Sequence, residues 1–233
     1  MFEDQIRELS GRYRVIAYDH RGQGRSEVAA GGYDMDNLTL DALALMDALG
    51  VQRFHFAGLS MGGFIGLHLG ARHPERLHSL ILMETSAQAE PAENVPRYRM
   101  LNTVVGLLGA WAVKKPVMKI MFGRPFLQDP ARAGIRRKWE RELTGNRKSI
   151  TRAVRGVIER QEVPPESLAR ISCPTLIIVG EEDAATVPAK SEYMHKLIPN
   201  SRLVRIPGAG HTSTVEAPKA VNQAINTFLQ GLR

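Results

Sequence analysis

Cysteine is almost missing from this chain. Cys173 stands alone in 233 residues, so no internal disulfide can form. Its place before Pro174 at a strand start reads as a small packing residue in a reducing compartment. Long apolar runs are missing too, and nothing approaches the roughly 18 uninterrupted apolar residues of a membrane span. The first residues carry Glu3, Asp4, Arg7 and Glu8 without an apolar core, so no signal peptide is visible and a cytoplasmic location is expected. There is neither an aromatic-rich stacking motif nor a zinc-finger pattern, which argues against a nucleic-acid partner. Metal-ligand spacings and phosphate-binding glycine loops are absent as well, so no cofactor and no metal are expected. Repeats and low-complexity tracts are not found.

What is present is an ordinary globular composition, 43% hydrophobic and 24% charged. At this length one α/β domain with an insertion fits better than two domains. The net charge of +7 is uneven. Lys114 to Arg160 holds 14 Lys or Arg against 4 Asp or Glu, a surplus of +10 that leaves the rest of the chain at −3. Solvated helices with basic outer faces would give this pattern. So would a basic cover that attracts acidic substrates or an anionic membrane surface.

Phe2, Ile6 and Leu9 fall at helical spacing, and Gly11 ends that helix. Arg14–Tyr18 reads as a buried strand, followed by the turn Asp19–Ser26. A helix is predicted over Asn37–Leu49, with Asp36 or Asn37 as its N-cap and Gly50 at its end. The strand Phe54–Ala57, a glycine-flanked turn, a helix from Phe64 to Arg72 and the strand Ser79–Met83 come next. The rhythm breaks over residues 87–167, where scattered prolines and helical pieces read as an inserted α-helical cap. In it Val104, Val105, Leu107 and Leu108 are apolar nearly all round, as in a helix covered on several sides. Strands return at Thr175–Val179 and Arg202–Ile206, and a last helix spans Pro218–Leu229. Short apolar runs alternating with helices predict a parallel, doubly wound α/β sheet, with its core in residues 1–86 and 168–233.

The turn after Phe54–Ala57 is Gly58-Leu59-Ser60-Met61-Gly62, a G-x-S-x-G nucleophile elbow between strand and helix. There a serine rides a strained turn, and the flanking glycines leave room for strand and helix backbones to approach. A serine hydroxyl needs a base to take its proton and an acid to orient that base. Asp183 follows the strand ending at Val179, and His211 follows the one ending at Ile206. Both lie where parallel strands open into a crevice. Asp183 is the expected acid, with Glu84 after Met83 as runner-up, and His211 is the expected base. His20 also lies on the crevice side, but in a turn before the nucleophile. His55, His68, His73, His78 and His195 lie in or beside predicted elements.

Four motifs in register, Asp19–Ser26, Gly58–Gly62, Gly180–Asp183 and Gly208–His211, resemble the α/β-hydrolase fold family, particularly its capped bacterial esterase, lactonase and perhydrolase-like members. The resemblance covers essentially the whole chain. It implies an acyl-enzyme at Ser60, an oxyanion held by the backbone N–H of Met61, and a small-molecule ester or lactone substrate. Leu107, Trp111, Met118, Phe122 and Trp139 of the cap would line an acyl pocket or form plain core. Serine at the elbow argues against the haloalkane dehalogenase and epoxide hydrolase branches, which use aspartate there. Members of the family begin with further strands, the last of which ends in a His-Gly loop that supplies the other oxyanion donor. No His-Gly pair occurs in this sequence. The expectation is therefore an N-terminally truncated sheet and a natural protein that begins upstream of Met1. The alternatives are a catalytically impaired scaffold and, among enzymes, a carbon–carbon bond hydrolase or a perhydrolase. Oligomeric state stays open.

Overall fold

Four apolar runs form four strands in the computed structural model, which describes residues 1–232. They are β1 (Phe54–Leu59), β2 (Leu77–Met83), β3 (Thr175–Gly180) and β4 (Ser201–Ile206). Their order in the sheet is their order in the chain, and every pair is parallel. Parallel neighbours need a crossover, and helices supply it. Helices α1 (Glu3–Leu9) and α2 (Met35–Ala48) precede the sheet, and α3 (Met61–Arg72) joins β1 to β2. Between β2 and β3 come α4 (Val95–Leu108), α5 (Lys114–Met121), α6 (Arg124–Gln128), α7 (Ala133–Thr144), α8 (Ile150–Ile158) and α9 (Pro165–Leu168). Helix α10 (Pro188–Leu197) joins β3 to β4, and α11 (Ser213–Glu216) and α12 (Pro218–Gln230) close the chain.

Side-chain alternation divides the core between the two faces of the sheet. Phe56, Leu80, Leu82 and Ile177 pack with Leu38, Ile65, Leu69 and Met194 of α2, α3 and α10. Ile81, Met83, Leu176 and Ile178 point the other way, onto Val221, Ile225 and Phe228 of α12. Strand β3 is buried from end to end, as a strand covered on both faces must be. Cys173 is buried beside it. Helix α1 lies against α12, where Gln5 Nε2 donates to Asn222 Oδ1 at 2.8 Å. Among the described residues no helix is long and apolar enough to cross a membrane.

Two expectations need correcting. Arg14–Tyr18 is not a strand and has no regular secondary structure. A strand is stable only when a neighbour's backbone pairs with it. Among the described residues, no strand lies beyond β1 to offer one. Tyr18 nonetheless packs against the α2–α3 side of the core. In α4, Leu107 is 70% exposed and Leu108 is also exposed, so this helix is not covered on several sides. A smaller shift concerns α2, whose N-cap is Asp34 rather than Asp36 or Asn37. The Asp34 carboxylate accepts from Asn37 N–H at 2.9 Å.

The basic surplus of 114–160 has structural uses. Arg147 donates to the carbonyls of Gly24 and Ser26, Arg132 to that of Glu216, and Lys138 pairs with Glu3 at 2.6 Å. These contacts fasten the helical stretch between β2 and β3 to the Asp19–Ser26 turn, to α11 and to α1.

Candidate active site

Register brings the C-terminal ends of the strands level, with Leu59 opposite Met83, Met83 opposite Ile178, and Gly180 opposite Ile206. The residues that follow them therefore open on one side of the sheet. Ser60 is the first residue past β1, at φ 51° and ψ −111°, a strained conformation for a residue with a side chain. Its N–H donates to the Met83 carbonyl at 2.9 Å, and its own carbonyl accepts from Thr85 Oγ1 at 3.0 Å. The glycines explain how strand and helix come this close. A Cβ on Gly58 would stand 2.2 Å from the Gly62 backbone, and one on Gly63 would stand 2.5 Å from the Thr85 side chain. A Cβ on Gly62 would meet nothing, so the room needed on the helix side is at Gly63, one residue beyond the motif. Met61 opens α3, where the first N–H groups of a helix have no intrahelical acceptor.

Asp183 and His211 meet. His211 Nδ1 lies 3.0 and 3.1 Å from the two Asp183 carboxylate oxygens, with both residues buried. The carboxylate also accepts from Ala185 N–H at 2.8 Å, Thr186 N–H at 2.9 Å and the Thr186 hydroxyl at 2.7 Å. Burial pushes the Asp183 carboxyl up. The His211 hydrogen bond and charge, with the Thr186 donors, outweigh that and hold it below the usual range. A carboxylate so placed fixes the orientation of an imidazole and stabilises its protonated form. Ser60, Met61 and His211 share the wall of one cavity of about 1030 Å³, which runs from the outer edge of β1 to the helical stretch.

Glu84, the runner-up acid, is fully buried at φ 43°, and neither carboxyl oxygen has a hydrogen-bond partner. Burial pushes its pKa well above the usual range. Asp183 and Glu216 push the same way, and Ser213 and the Gly180 backbone, close by but outside full hydrogen-bond geometry, pull only partly back. A neutral acid of this kind does not supply the negative charge that an imidazolium needs.

Of the expected pocket residues, Trp139 lines the cavity. Trp111 is 67% exposed, and Leu107 too faces solvent. Met118 and Phe122 are buried with Phe126 in a separate small core. The sequence reading passed over Thr186 and Glu216. Glu216 is buried, accepting from Gly123 N–H at 2.8 Å and Thr212 N–H at 3.2 Å, so it ties the turn before α6 to the loop carrying His211. Burial raises its pKa, against the pull of those backbone donors. The Asp183-x-x-Thr186 spacing was visible as an aspartate-initiated turn. Nothing local marked Glu216.

The sequence model of the alpha/beta hydrolase fold matches residues 1–218. The chain belongs to that family. Among α/β-hydrolase relatives it is 31% identical over 231 residues to 3-oxoadipate enol-lactonase 2 of Acinetobacter baylyi, covering 99% of this chain and 84% of that one. A thermophilic esterase from Thermogutta terrifontis, solved with malate bound, superposes with a TM-score of 0.91 at 30% identity, covering 99% of this chain and 85% of the esterase. The enol-lactonase from Burkholderia xenovorans LB400 gives 0.89 at 28% identity, covering 98% and 85%.

Proposed function

We propose that the protein is a serine hydrolase of small carboxylic esters or lactones, acting through an acyl-enzyme at Ser60. The observation that carries this reading is the Asp183–His211 pair, whose His211 lines the cavity that Ser60 shares. Asp183 occupies Nδ1 and leaves Nε2 as the nitrogen free to take the serine proton. Ser60 Oγ attacks the ester carbonyl as His211 accepts its proton, and the Met61 N–H holds the oxyanion that forms. The tetrahedral intermediate collapses with transfer of that proton to the leaving oxygen. Water, deprotonated by His211, then releases the acid and restores Ser60. Relatives named enol-lactonase and esterase support this substrate class. Residues 87–167 act as a cap on the core formed by 1–86 and 168–233, and contribute Tyr98, Val105, Val117, Trp139 and Arg160, among others, to the pocket wall. The same reading has the protein in the cytoplasm, acting without a cofactor.

A fluorophosphonate probe tests the proposal, because labelling requires an activated serine. Ser60→Ala and His211→Ala should each abolish both labelling and turnover of an activated short ester, with circular dichroism unchanged. Wild-type turnover in either variant would overturn the assignment, and an unlabelled wild-type chain would favour the silent scaffold.

A further inference from the structure

Arg160 stands just past α8 in the wall of the cavity that holds Ser60 and His211, with its side chain only 2% exposed. Its guanidinium is half used. Nη1 donates to Glu90 Oε2 at 3.0 Å and to the Val157 carbonyl at 2.8 Å. Nε and Nη2, which together form the side-on edge of the guanidinium, are buried with no partner. The guanidinium carbon lies over the Phe64 ring, 4.3 Å from its centroid. Phe64 is one turn along α3 from Ser60, and its N–H donates to the Ser60 carbonyl at 3.0 Å. An unpaired two-donor cationic edge is thus held against the side chain of the residue one turn along α3 from the nucleophile, on a residue that lines the same cavity.

A structural ion pair would explain Nη1 but not the other edge. Leaving a charged donor pair buried and unpaired is costly, and a fold that needed only the bond to Glu90 could use lysine. Glu90 divides its oxygens, Oε1 accepting from Asn94 Nδ2 at 3.0 Å and Oε2 from Arg160 Nη1, and neither oxygen reaches Nε or Nη2. Among the described residues, the Tyr98 hydroxyl and Lys190 are the other titratable groups in electrostatic contact with Arg160, and neither brings a carboxylate. The unpaired edge matches a planar, two-oxygen anion, which accepts two parallel N–H bonds.

We propose that Arg160 is the anchor for a carboxylate carried by the substrate, so that the preferred esters or lactones are monoanions whose free carboxylate seats on Nε and Nη2. This rests on the serine-hydrolase reading above and narrows its substrate class. It also relocates the acidic-substrate idea suggested by the basic segment. Selectivity comes from one buried guanidinium and not from a diffuse positive cover.

Dimethyl glutarate and monomethyl glutarate, which differ by one charge at nearly equal length, test it in steady-state turnover by the full chain. The wild-type protein should prefer the half-ester through a lower KM. Arg160→Gln should raise the half-ester KM by about 10–100-fold, the range for a lost charged hydrogen bond, and leave the diester KM and both kcat values nearly unchanged. Arg160→Lys, which keeps the charge but not the paired donors, should fall between. It also carries the test if the glutamine variant is poorly folded. Glutarate binding by calorimetry gives a readout independent of turnover, and should be present in the wild type and lost in Arg160→Gln. Equal losses on both esters would make Arg160 a structural residue and overturn the proposal. So would a wild type that neither prefers the half-ester nor binds glutarate. Failure to hydrolyse either ester while glutarate still binds at Arg160 would sink the hydrolase reading and leave the anion site standing.

Discussion

Replacing Glu84 with glutamine separates the two candidate acids and puts a number on the cost of burying one of them. In the unfolded chain Glu84 ionises near its ordinary value of 4.5, and in the native protein burial holds the proton far beyond that. Between those two points the folded state carries one more proton than the unfolded state. Stability therefore falls as pH rises, by about 1.4 kcal/mol per unit, and levels off once native Glu84 ionises. Asp183 has the opposite sign. Its native pKa lies below the ordinary 3.8, so its contribution is complete above that value and is lost only as pH drops through the native pKa. The window above pH 4.5 is thus free of Asp183. Glu216, also raised, adds to the same downward slope, so the comparison must be between wild type and variant at each pH. Glutamine keeps the shape and the strained backbone but has no proton to lose. Glu84→Gln should match the wild type near pH 4 and gain on it by about 1.4 kcal/mol per unit above about pH 5. Urea unfolding followed by circular dichroism at several pH values, with equal m-values required, measures this. Turnover should be retained. Parallel pH–stability curves would show that Glu84 is ionised in the native protein. A loss of turnover as deep as that of Asp183→Asn would make Glu84 the acid and refute the assignment.

Asp183→Asn should lower kcat by about 10³–10⁴-fold, measured with a saturating activated ester, because the imidazole loses both its orientation and its counter-charge. Thr186→Val removes the 2.7 Å hydroxyl donor to Asp183 and should cost about 1–2 kcal/mol in kcat/KM, measured with an activated ester. Glu216→Ala should strand the N–H groups of Gly123 and Thr212 and lower stability by about 3–5 kcal/mol, seen as a large drop in Tm. Glu216→Gln, which keeps an acceptor, should recover much of it.

The sheet was legible because each of β1 to β4 is an apolar run bounded by turn residues, and such runs need only covering layers to become parallel strands. Arg14–Tyr18 has the same local character and fails for a reason no window of sequence contains, which is that a ladder requires a second backbone. Motif order brought Asp183 and His211 into neighbouring loops, and the structure joins them at 3.0 Å. The pocket was less legible. Helical spacing tells which residues share a face but not what that face meets, so Trp139 reaches the cavity while Trp111 reaches solvent. Charge counting had the same blindness. It weighed Arg147, which grips loop carbonyls, equally with Arg160, which stacks on Phe64 with an edge unpaired.

The chain order of the sheet also has a consequence in time. Ser60 belongs to a unit made by β1, α3 and β2, all close in sequence, whose contacts can form early. Asp183 and His211 follow β3 and β4, and β3 pairs with that unit through the ladder that begins with Leu80 opposite Thr175, across the whole helical stretch between them. Closing so long a loop is the slow, entropically costly step. During refolding the elbow would then exist as a bent but idle turn until the ladder closes. Recovery of serine reactivity would mark that single late event, while helix content rises well before it.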